Sequence, residues 1–303
     1  SPRSATFRWP DREPTGSRKQ KRPAEYPRRK RMTDKELSVT ERIEREELAR
    51  GHIAAGERPV PPRPASTVVL ARDSEVSPFE VLLLRRPAEA RFAAGAYVFP
   101  GGMIDPADHD SELIERLGAD AGGGEPAALA AALRELLEET GLLLADSRPT
   151  PDAVAAARRS LLAGESNFLG VAHELDLTFH TVRSAYFGRW ITPKRFSRRY
   201  DTRFFLTCLP EDQPDFEPEL TEELAGFTWL SPSEAVERFR EGRLPMLFPT
   251  RTTLGSLAEY DSLSALFDAC KATSVEPIIP RLLIRGDSVR PVLPGDPGWD
   301  EAD

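Results

Sequence analysis

Short apolar runs alternate with longer helical patterns along the chain and predict an α/β fold. Aliphatic and β-branched residues at Ser66–Ala71 and Glu80–Arg85 predict two strands, and the polar residues between them predict a turn at Asp73–Pro78. Further strands, including a closing hairpin, are predicted at Tyr97–Phe99, Phe187–Ile191, Arg203–Leu209, Gly226–Leu230, Leu282–Arg285 and Val289–Leu293.

The clearest helix is predicted between Pro126 and Gly141. Proline suits the first helical position because it has no N–H to leave unpaired, and the run Ala127–Ala132 favours a helix. Glycine after the last turn can adopt the left-handed conformation that ends helices. An apolar stripe able to pack on a sheet consists of Leu129, Leu133, Leu136 and Leu137. Other helices are predicted at Thr33–Ala55, Glu112–Leu117, Ala153–Leu162, Asn167–Leu175, Ser231–Arg240 and most of Arg251–Lys271.

Three carboxylates share one face of the central helix. Glu135, Glu138 and Glu139 occupy positions i, i+3 and i+4, so like charges repel on one side while the leucines are offset from them. A solvated helix face is the ordinary explanation for such a pattern. A divalent cation would remove the repulsion, because the hard ions Mg²⁺ and Mn²⁺ prefer carboxylate oxygen. The helix is therefore a candidate metal site.

Two segments resemble the Nudix box, Gly-x5-Glu-x7-Arg-Glu-U-x-Glu-Glu-x-Gly-U, in which U is an aliphatic residue. The sequence from Arg134 to Leu142 matches the second half, and Phe99-Pro100-Gly101-Gly102 lies upstream. The resemblance implies an α/β Nudix fold, a mixed β-sheet sandwiched between α-helices, and metal-dependent hydrolysis of nucleoside diphosphate derivatives. It implies a catalytic and metal site with Mg²⁺ or Mn²⁺ as cofactor, formed by Arg134, Glu135, Glu138, Glu139 and Gly102.

One position of the box is out of register. Gly102 and Arg134 are 32 positions apart, which leaves an insertion of roughly eighteen residues, at about 104–124. Counted back from the arginine, the first glutamate of the box falls at Pro126. Glu125 is the candidate to replace it, with Glu115 and Asp120 as weaker ones. The partner of Arg134 is left open.

The segments around the box resemble the coenzyme A diphosphatases. Arg91-x3-Gly95-x3-Phe99-Pro100-Gly101-Gly102 matches the spacing that precedes the box in that group, although the segment before Arg91 is one residue short. Resemblance to the nudix motif 19 type, which has a long insertion in the box, rests on Val98–Asp105, Asp108, Trp190–Pro193, Arg199–Leu206, Trp229–Pro232, Phe248–Arg251 and Leu293–Pro297. It implies hydrolysis of coenzyme A or acyl-coenzyme A to phosphopantetheine and 3′,5′-ADP.

Three arginines before the glycine turn are candidates for binding the substrate. Arg85, Arg86 and Arg91 could hold the 3′-phosphate of coenzyme A, with Gly101 and Gly102 close to the diphosphate. The same arginines also fit a solvated surface. The alternative substrates are ADP-ribose, a dinucleotide or a nucleotide sugar, and a non-catalytic nucleotide-binding regulator is a third hypothesis.

The proton released by the attacking water needs an acceptor. Glu222 and Glu223 are candidate bases, although a solvated edge is the ordinary explanation for both. Nudix enzymes differ in where this base lies, so the resemblance does not assign it.

Composition and charge set the domain boundaries. Residues 1–31 hold 11 Lys and Arg against 3 Asp and Glu, a net charge of +8 in a chain of net charge −8, so the rest carries −16. Residues 1–31 contain almost no aliphatic side chains, so we expect them to form a disordered basic leader. Whether this leader belongs to the natural protein is left open. A charged, helical and Pro-rich segment is predicted at 32–64, with Pro59–Pro64 as a stiff linker, and a Nudix domain at 65–298.

The partner classes follow from charge and hydropathy. The acidic remainder argues against nucleic acid as the main partner, so the expected partner is a small-molecule nucleotide, and a homodimer is left open. The chain has no run of eighteen apolar residues and no signal-peptide pattern, so we expect no membrane association. Cys208 and Cys270 fit two buried thiols rather than a disulfide, which favours a cytoplasmic protein.

Overall fold

A computed structural model describes residues 58–90, 93–118, 123, 125–180, 182–213, 216–220, 224–272, 274–285 and 288–302. The predictions for the leader at 1–31, for the helix at Thr33–Ala55 and for Arg91, Glu222 and Glu223 lie outside these residues.

One mixed sheet organises the described chain. Its eight strands are β1 (Arg63–Arg72), β2 (Glu80–Arg85), β3 (Tyr97–Val98), β4 (Gly101–Met103), β5 (Ser184–Ile191), β6 (Tyr200–Cys208), β7 (Gly226–Leu230) and β8 (Pro277–Ile278). The main order is β3-β2-β1-β6-β5-β8, while β4 pairs with β1 and β7 pairs with β2. The pairs β1–β6 and β5–β8 are parallel and the others are antiparallel, which confirms the mixed sheet.

Helices lie on both faces of this sheet. They are α1 (Ser111–Leu117), α2 (Pro126–Thr140), α3 (Pro151–Leu162), α4 (Phe168–Glu174), α5 (Pro232–Arg240), α6 (Phe248–Leu257) and α7 (Leu263–Lys271). Alternate residues of β1 point to opposite faces. Val68 and Leu70 pack in the core with α2, whereas Val69 and Ala71 pack in the core that includes α6 and α7. The predicted sandwich of a sheet between helices is confirmed.

The local predictions hold where the sequence pattern is strong. In α2, Pro126 is the first residue, and Gly141 ends the helix at φ +79° while its N–H donates to the Leu137 carbonyl over 2.9 Å. The closing hairpin forms between β9 (Arg281–Arg285) and β10 (Ser288–Val292). Cys208 and Cys270 are free and buried, as predicted.

The region predicted as mostly helical at Arg251–Lys271 is mostly helical, divided between α6 and α7. Ser262 begins α7 by accepting a hydrogen bond from the Ala265 N–H. One boundary differs from the prediction, because β1 begins at Arg63, inside the linker predicted at Pro59–Pro64. The Arg63 N–H donates to the Arg199 carbonyl over 2.8 Å, so the end of the predicted linker is hydrogen-bonded to the chain that enters β6.

Residues 104–118, the main described part of the insertion, contain two short helical turns. A 3-10 helix covers Pro106–His109, and α1 follows it, where a helix was predicted at Glu112–Leu117. Asp110 begins α1, since its carboxylate accepts a hydrogen bond from the Glu112 N–H over 2.9 Å. Both turns contact α2, so the start of the insertion lies next to the carboxylate-bearing helix.

Candidate active site

The glycine turn between β3 and β4 packs directly between β1 and α2. The Gly101 N–H donates to Glu139 Oε2 over 3.0 Å, which joins the turn to the carboxylate helix. A Cβ atom on Gly101 would overlap the Ser66 carbonyl oxygen, and one on Gly102 would overlap the Glu135 carboxylate. Glycine is therefore required sterically at position 101, where a Cβ would meet backbone, whereas a Cβ at position 102 would displace the Glu135 carboxylate. The turn brings backbone against two of the three predicted carboxylates.

Arg134 lies at the centre of the site. Its side chain is only 7% exposed, and its Nη1 lies 2.9 Å from Glu135 Oε1 and 3.2 Å from Glu138 Oε2. Its Nη2 donates to the Met103 carbonyl over 2.8 Å, at the end of β4. The structure thus brings the predicted residues Arg134, Glu135 and Glu138 together, and Arg134 ties them to the strand that follows the glycine turn.

Asp108 is the partner of Arg134. Its two carboxylate oxygens accept from Arg134 Nε over 3.1 Å and from Nη2 over 3.0 Å, a bidentate pair in which the Asp108 side chain is only 1% exposed. Asp108 Oδ2 also accepts from the Asp105 N–H over 2.8 Å, so the 3-10 helix holds it in place.

Glu125, the first candidate to replace the missing glutamate of the box, pairs with a different arginine from Arg134. Glu125 precedes α2 and lies 3.4 Å from Arg203 Nε, on the strand β6. Asp108 takes the place beside Arg134 instead. The signal was available in the sequence, since Asp108 follows Gly102 after five residues, which is the spacing of the box counted forward from its glycine. The prediction counted back from Arg134 across the insertion and so missed it.

Burial and like charge control the titration of the site. Burial raises the pKa of Glu135 to about 7, against the lowering effect of the neighbouring Arg134. Burial also raises the pKa of Glu138, again opposed by Arg134. Burial alone would lower the pKa of Arg134, but the hydrogen bond to Asp108 and the surrounding carboxylates raise it, so the guanidinium stays charged.

The donor set fits a divalent cation. Arg134 carries one positive charge and forms ion pairs with four carboxylates, those of Asp105, Asp108, Glu135 and Glu138, so the group has a net charge of −3 when all four carboxylates are ionised. Hard cations take carboxylate oxygens as ligands and would compensate this charge. Among the described residues, no group of three or more acidic, His or Cys side chains is arranged so that it could hold a metal ion. In this arrangement Arg134 Nη1 lies within hydrogen-bonding distance of both Glu135 and Glu138.

The predicted substrate arginines lie at the end of β2. Arg85 is exposed and stands opposite Tyr97 of β3 and Gly226 of β7. Arg86 is half-buried, and its N–H donates to the Ala96 carbonyl over 3.0 Å. Both therefore flank the short strand that leads into the glycine turn, while Arg91 and the candidate bases Glu222 and Glu223 fall in the gaps between described residues.

Comparison with known proteins agrees with this geometry. The NUDT19 Nudix domain family matches residues 119–254, which include the carboxylate helix. Acyl-coenzyme A diphosphatase NUDT19 of Gallus gallus is 30% identical over 278 residues, covering 74% of this chain and 73% of that protein. The Homo sapiens protein of the same name is 29% identical over 286 residues, covering 77% and 76%.

A solved structure shows the same fold. The crystal structure of a Nudix hydrolase from Alicyclobacillus acidocaldarius is 31% identical with a TM-score of 0.58, covering 69% of this chain and 96% of that one. Across the residues described here, no helix has both the length and the apolar character needed to cross a membrane. The glycine turn, the carboxylate helix and these similarities agree that the chain belongs to the Nudix hydrolases, in the branch of the NUDT19 proteins.

Proposed function

We propose that this protein hydrolyses the diphosphate linkage of coenzyme A or acyl-coenzyme A, releasing 4′-phosphopantetheine or its acyl derivative and 3′,5′-ADP. The observation that carries the proposal is the cluster of Glu135 and Glu138 around buried Arg134, beneath the turn that binds Glu139. The substrate class is supported by two relatives that are named acyl-coenzyme A diphosphatases.

The proposed metal ligands are Glu135, Glu138, Glu139 and a carbonyl of Gly102, with Mg²⁺ or Mn²⁺ as the cation. When bound, the cation supplies Lewis acidity, which neutralises the diphosphate and lowers the pKa of the attacking water. Arg134 orients the carboxylates of Glu135 and Glu138, and the Gly101 N–H orients that of Glu139.

The remaining roles of this proposal concern the substrate and the proton. Arg85, Arg86 and Arg91 would bind the 3′-phosphate, and Glu222 or Glu223 would accept the proton of the attacking water. The exposure of Arg85 next to the strand that enters the glycine turn supports such a role. The proposed catalytic domain spans residues 65–298, and gel filtration with light scattering tests whether it forms a homodimer.

Product analysis tests the proposed function. The purified full chain is incubated with coenzyme A, an acyl-coenzyme A or ADP-ribose, each with Mg²⁺ and with Mn²⁺. We expect 4′-phosphopantetheine and 3′,5′-ADP from coenzyme A. Release of AMP and ribose phosphate, with ADP-ribose turned over more efficiently than coenzyme A, would favour the alternative substrate class. No turnover of any diphosphate would leave only the binding-protein hypothesis.

Recognition of the 3′-phosphate can be measured separately. Losing a charge-assisted contact to phosphate costs roughly 1.5–3 kcal/mol, or about ten- to a hundredfold in kcat/KM. Coenzyme A should therefore be cleaved more efficiently than 3′-dephospho-coenzyme A, and Arg91→Ala should abolish most of that preference. The same two substrates are compared with Arg85→Ala, because Arg85 is also proposed to bind the 3′-phosphate. Equal rates for both substrates with the wild-type protein would exclude 3′-phosphate recognition.

A further inference from the structure

Arg158 is a buried arginine outside the Nudix box that contacts the end of the carboxylate helix. It lies on α3, its side chain is 7% exposed, and its Nε donates to the Glu138 carbonyl over 3.0 Å. Its Nη1 lies 2.7 Å from Glu219 Oε2, in the segment that precedes β7. Arg158 thus joins the last turn of α2 to a second helix and to a third segment of the chain.

The Glu138 carbonyl is one of the last four of α2, which lack the usual partner in the next helical turn. In a continuing helix it would accept from the Leu142 N–H, but that N–H donates to Thr140 Oγ1 over 3.1 Å. Arg158 supplies the missing donor, and its positive charge lies at the negative end of the helix dipole. The backbone of a proposed metal ligand is therefore held by a side chain from another helix.

Apart from the bond to the α2 backbone, the surroundings of Arg158 contribute little to stability. In the described residues, the buried Nη2 of Arg158 has no hydrogen-bond partner, and an unsatisfied buried donor is destabilising. Glu219 is 73% exposed, so the ion pair is largely open to solvent, where such pairs contribute little. The contact that is well defined is the one to the α2 backbone.

We propose that Arg158 is a positioning residue for the metal site, which fixes the last turn of α2 and thereby the carboxylates of Glu138 and Glu139. The inference rests on the proposed function, since it assigns metal binding to these two residues. The Glu219 N–H also approaches the Thr140 carbonyl at 3.4 Å, so Glu219 helps to hold Arg158 against the helix end.

The test compares Arg158→Ala, Arg158→Met and Glu219→Gln in the full chain. Mn²⁺ affinity is measured without substrate by electron paramagnetic resonance, and kcat and KM are measured with the best diphosphate substrate. Loss of a group that orients metal ligands weakens metal binding about ten- to a hundredfold. We expect Arg158→Ala to show such a loss and a fall in kcat of similar size, with KM changed less than about threefold. In Glu219→Gln, Arg158 can still donate to the Glu138 carbonyl, so Mn²⁺ affinity and kcat should fall less than in Arg158→Ala.

A chemically matched control is Arg148→Ala. Arg148 also donates to one carbonyl, that of Ala145, and to one carboxylate, that of Asp212, but neither belongs to α2. This variant should keep wild-type Mn²⁺ affinity and kcat. Guanidinium ion added at about 50 mM, far below the molar concentrations that unfold proteins, should partly restore kcat in Arg158→Ala only.

The outcomes separate the two proposals. Wild-type Mn²⁺ affinity and kcat in Arg158→Ala, with only a lower melting temperature, would overturn the positioning role. If Arg158→Ala does not fold, Arg158→Met decides, because methionine keeps a long side chain but donates no hydrogen bond: unchanged kcat and Mn²⁺ affinity reject the proposal, and a loss of both with unchanged KM supports it. If the wild-type protein hydrolyses no diphosphate, the proposed function fails, whereas Mn²⁺ affinity still tests Arg158.

Discussion

Replacing Asp108 by asparagine should weaken both the fold and the site. The substitution is nearly isosteric, but it removes the charge that faces buried Arg134 and turns one acceptor into a donor. Of the two bonds, Nε to Oδ1 at 3.1 Å and Nη2 to Oδ2 at 3.0 Å, at most one can remain. The Asp105 N–H, which donates to Oδ2, competes for the same remaining oxygen.

The magnitude follows from burial. Breaking a buried ion pair by removing one partner costs about 3–5 kcal/mol, whereas an exposed pair contributes at most about 1 kcal/mol. Asp108 is 1% exposed, so we expect its replacement to lower the free energy of unfolding by about 3 kcal/mol, because one hydrogen bond is retained. Freed from Asp108, Arg134 can contact Glu135 and Glu138 more closely and compete with a metal ion, so kcat should fall at least about tenfold.

Urea unfolding measures the loss of stability of Asp108→Asn, and steady-state kinetics measures the fall in kcat. Asp105→Asn is the control. Asp105 also faces Arg134, but its carboxylate is 3.7 Å from Nη2 and its side chain is 55% exposed. That control should lose less than about 1 kcal/mol and keep most of its activity. If Asp108→Asn and Asp105→Asn had the same stability and the same kcat, the central role of the Asp108–Arg134 pair would be refuted.

Four other substitutions examine the site and its surroundings. Glu138→Gln and Glu139→Gln should each lower kcat at least about a hundredfold, with stability kept or raised because like charges are removed; near-normal turnover at saturating Mg²⁺ would contradict the metal assignment. Gly102→Ala should lower Mn²⁺ affinity because its Cβ would meet the Glu135 carboxylate, whereas Gly255→Ala, where nothing lies within 4 Å, is the silent control. Burial alone would raise the pKa of Asp201, but two arginines hold it below its usual value. The stability it contributes is therefore present above the unfolded pKa and lost as the pH falls through the folded pKa, so urea unfolding of Asp201→Asn should depend less on pH below about 4.

Sequence reasoning succeeded where structure is encoded by neighbours in the chain. The bounds of β2 and β7 agree with the prediction, and α2 begins and ends at the proline and the glycine that were assigned as its boundaries. These elements depend on local periodicity and on residues with restricted or special backbone conformations. The same reasoning placed Glu135 and Glu138 on one face, next to Arg134.

It failed where contacts join distant segments. The pairing of Asp108 with Arg134 spans the insertion, and spacing counted from only one end of the box points to the wrong residue. Likewise, no local pattern predicts that Arg158 contacts the Glu138 carbonyl or that Glu125 faces Arg203. Such contacts depend on how helices and strands pack, which periodicity does not specify.

The Asp108–Arg134 pair has a consequence for how much chain can lie between its members. Because the two residues touch, the segment between them is a closed loop, like a polymer whose ends are joined. The entropy lost on closing a flexible loop grows only logarithmically with its length, and doubling the length costs about 0.6 kcal/mol more. That increment is small beside the ion pair that closes the loop. The number of residues between Asp108 and Arg134 can therefore vary at little cost in free energy, whereas the carboxylates within α2 keep their helical spacing.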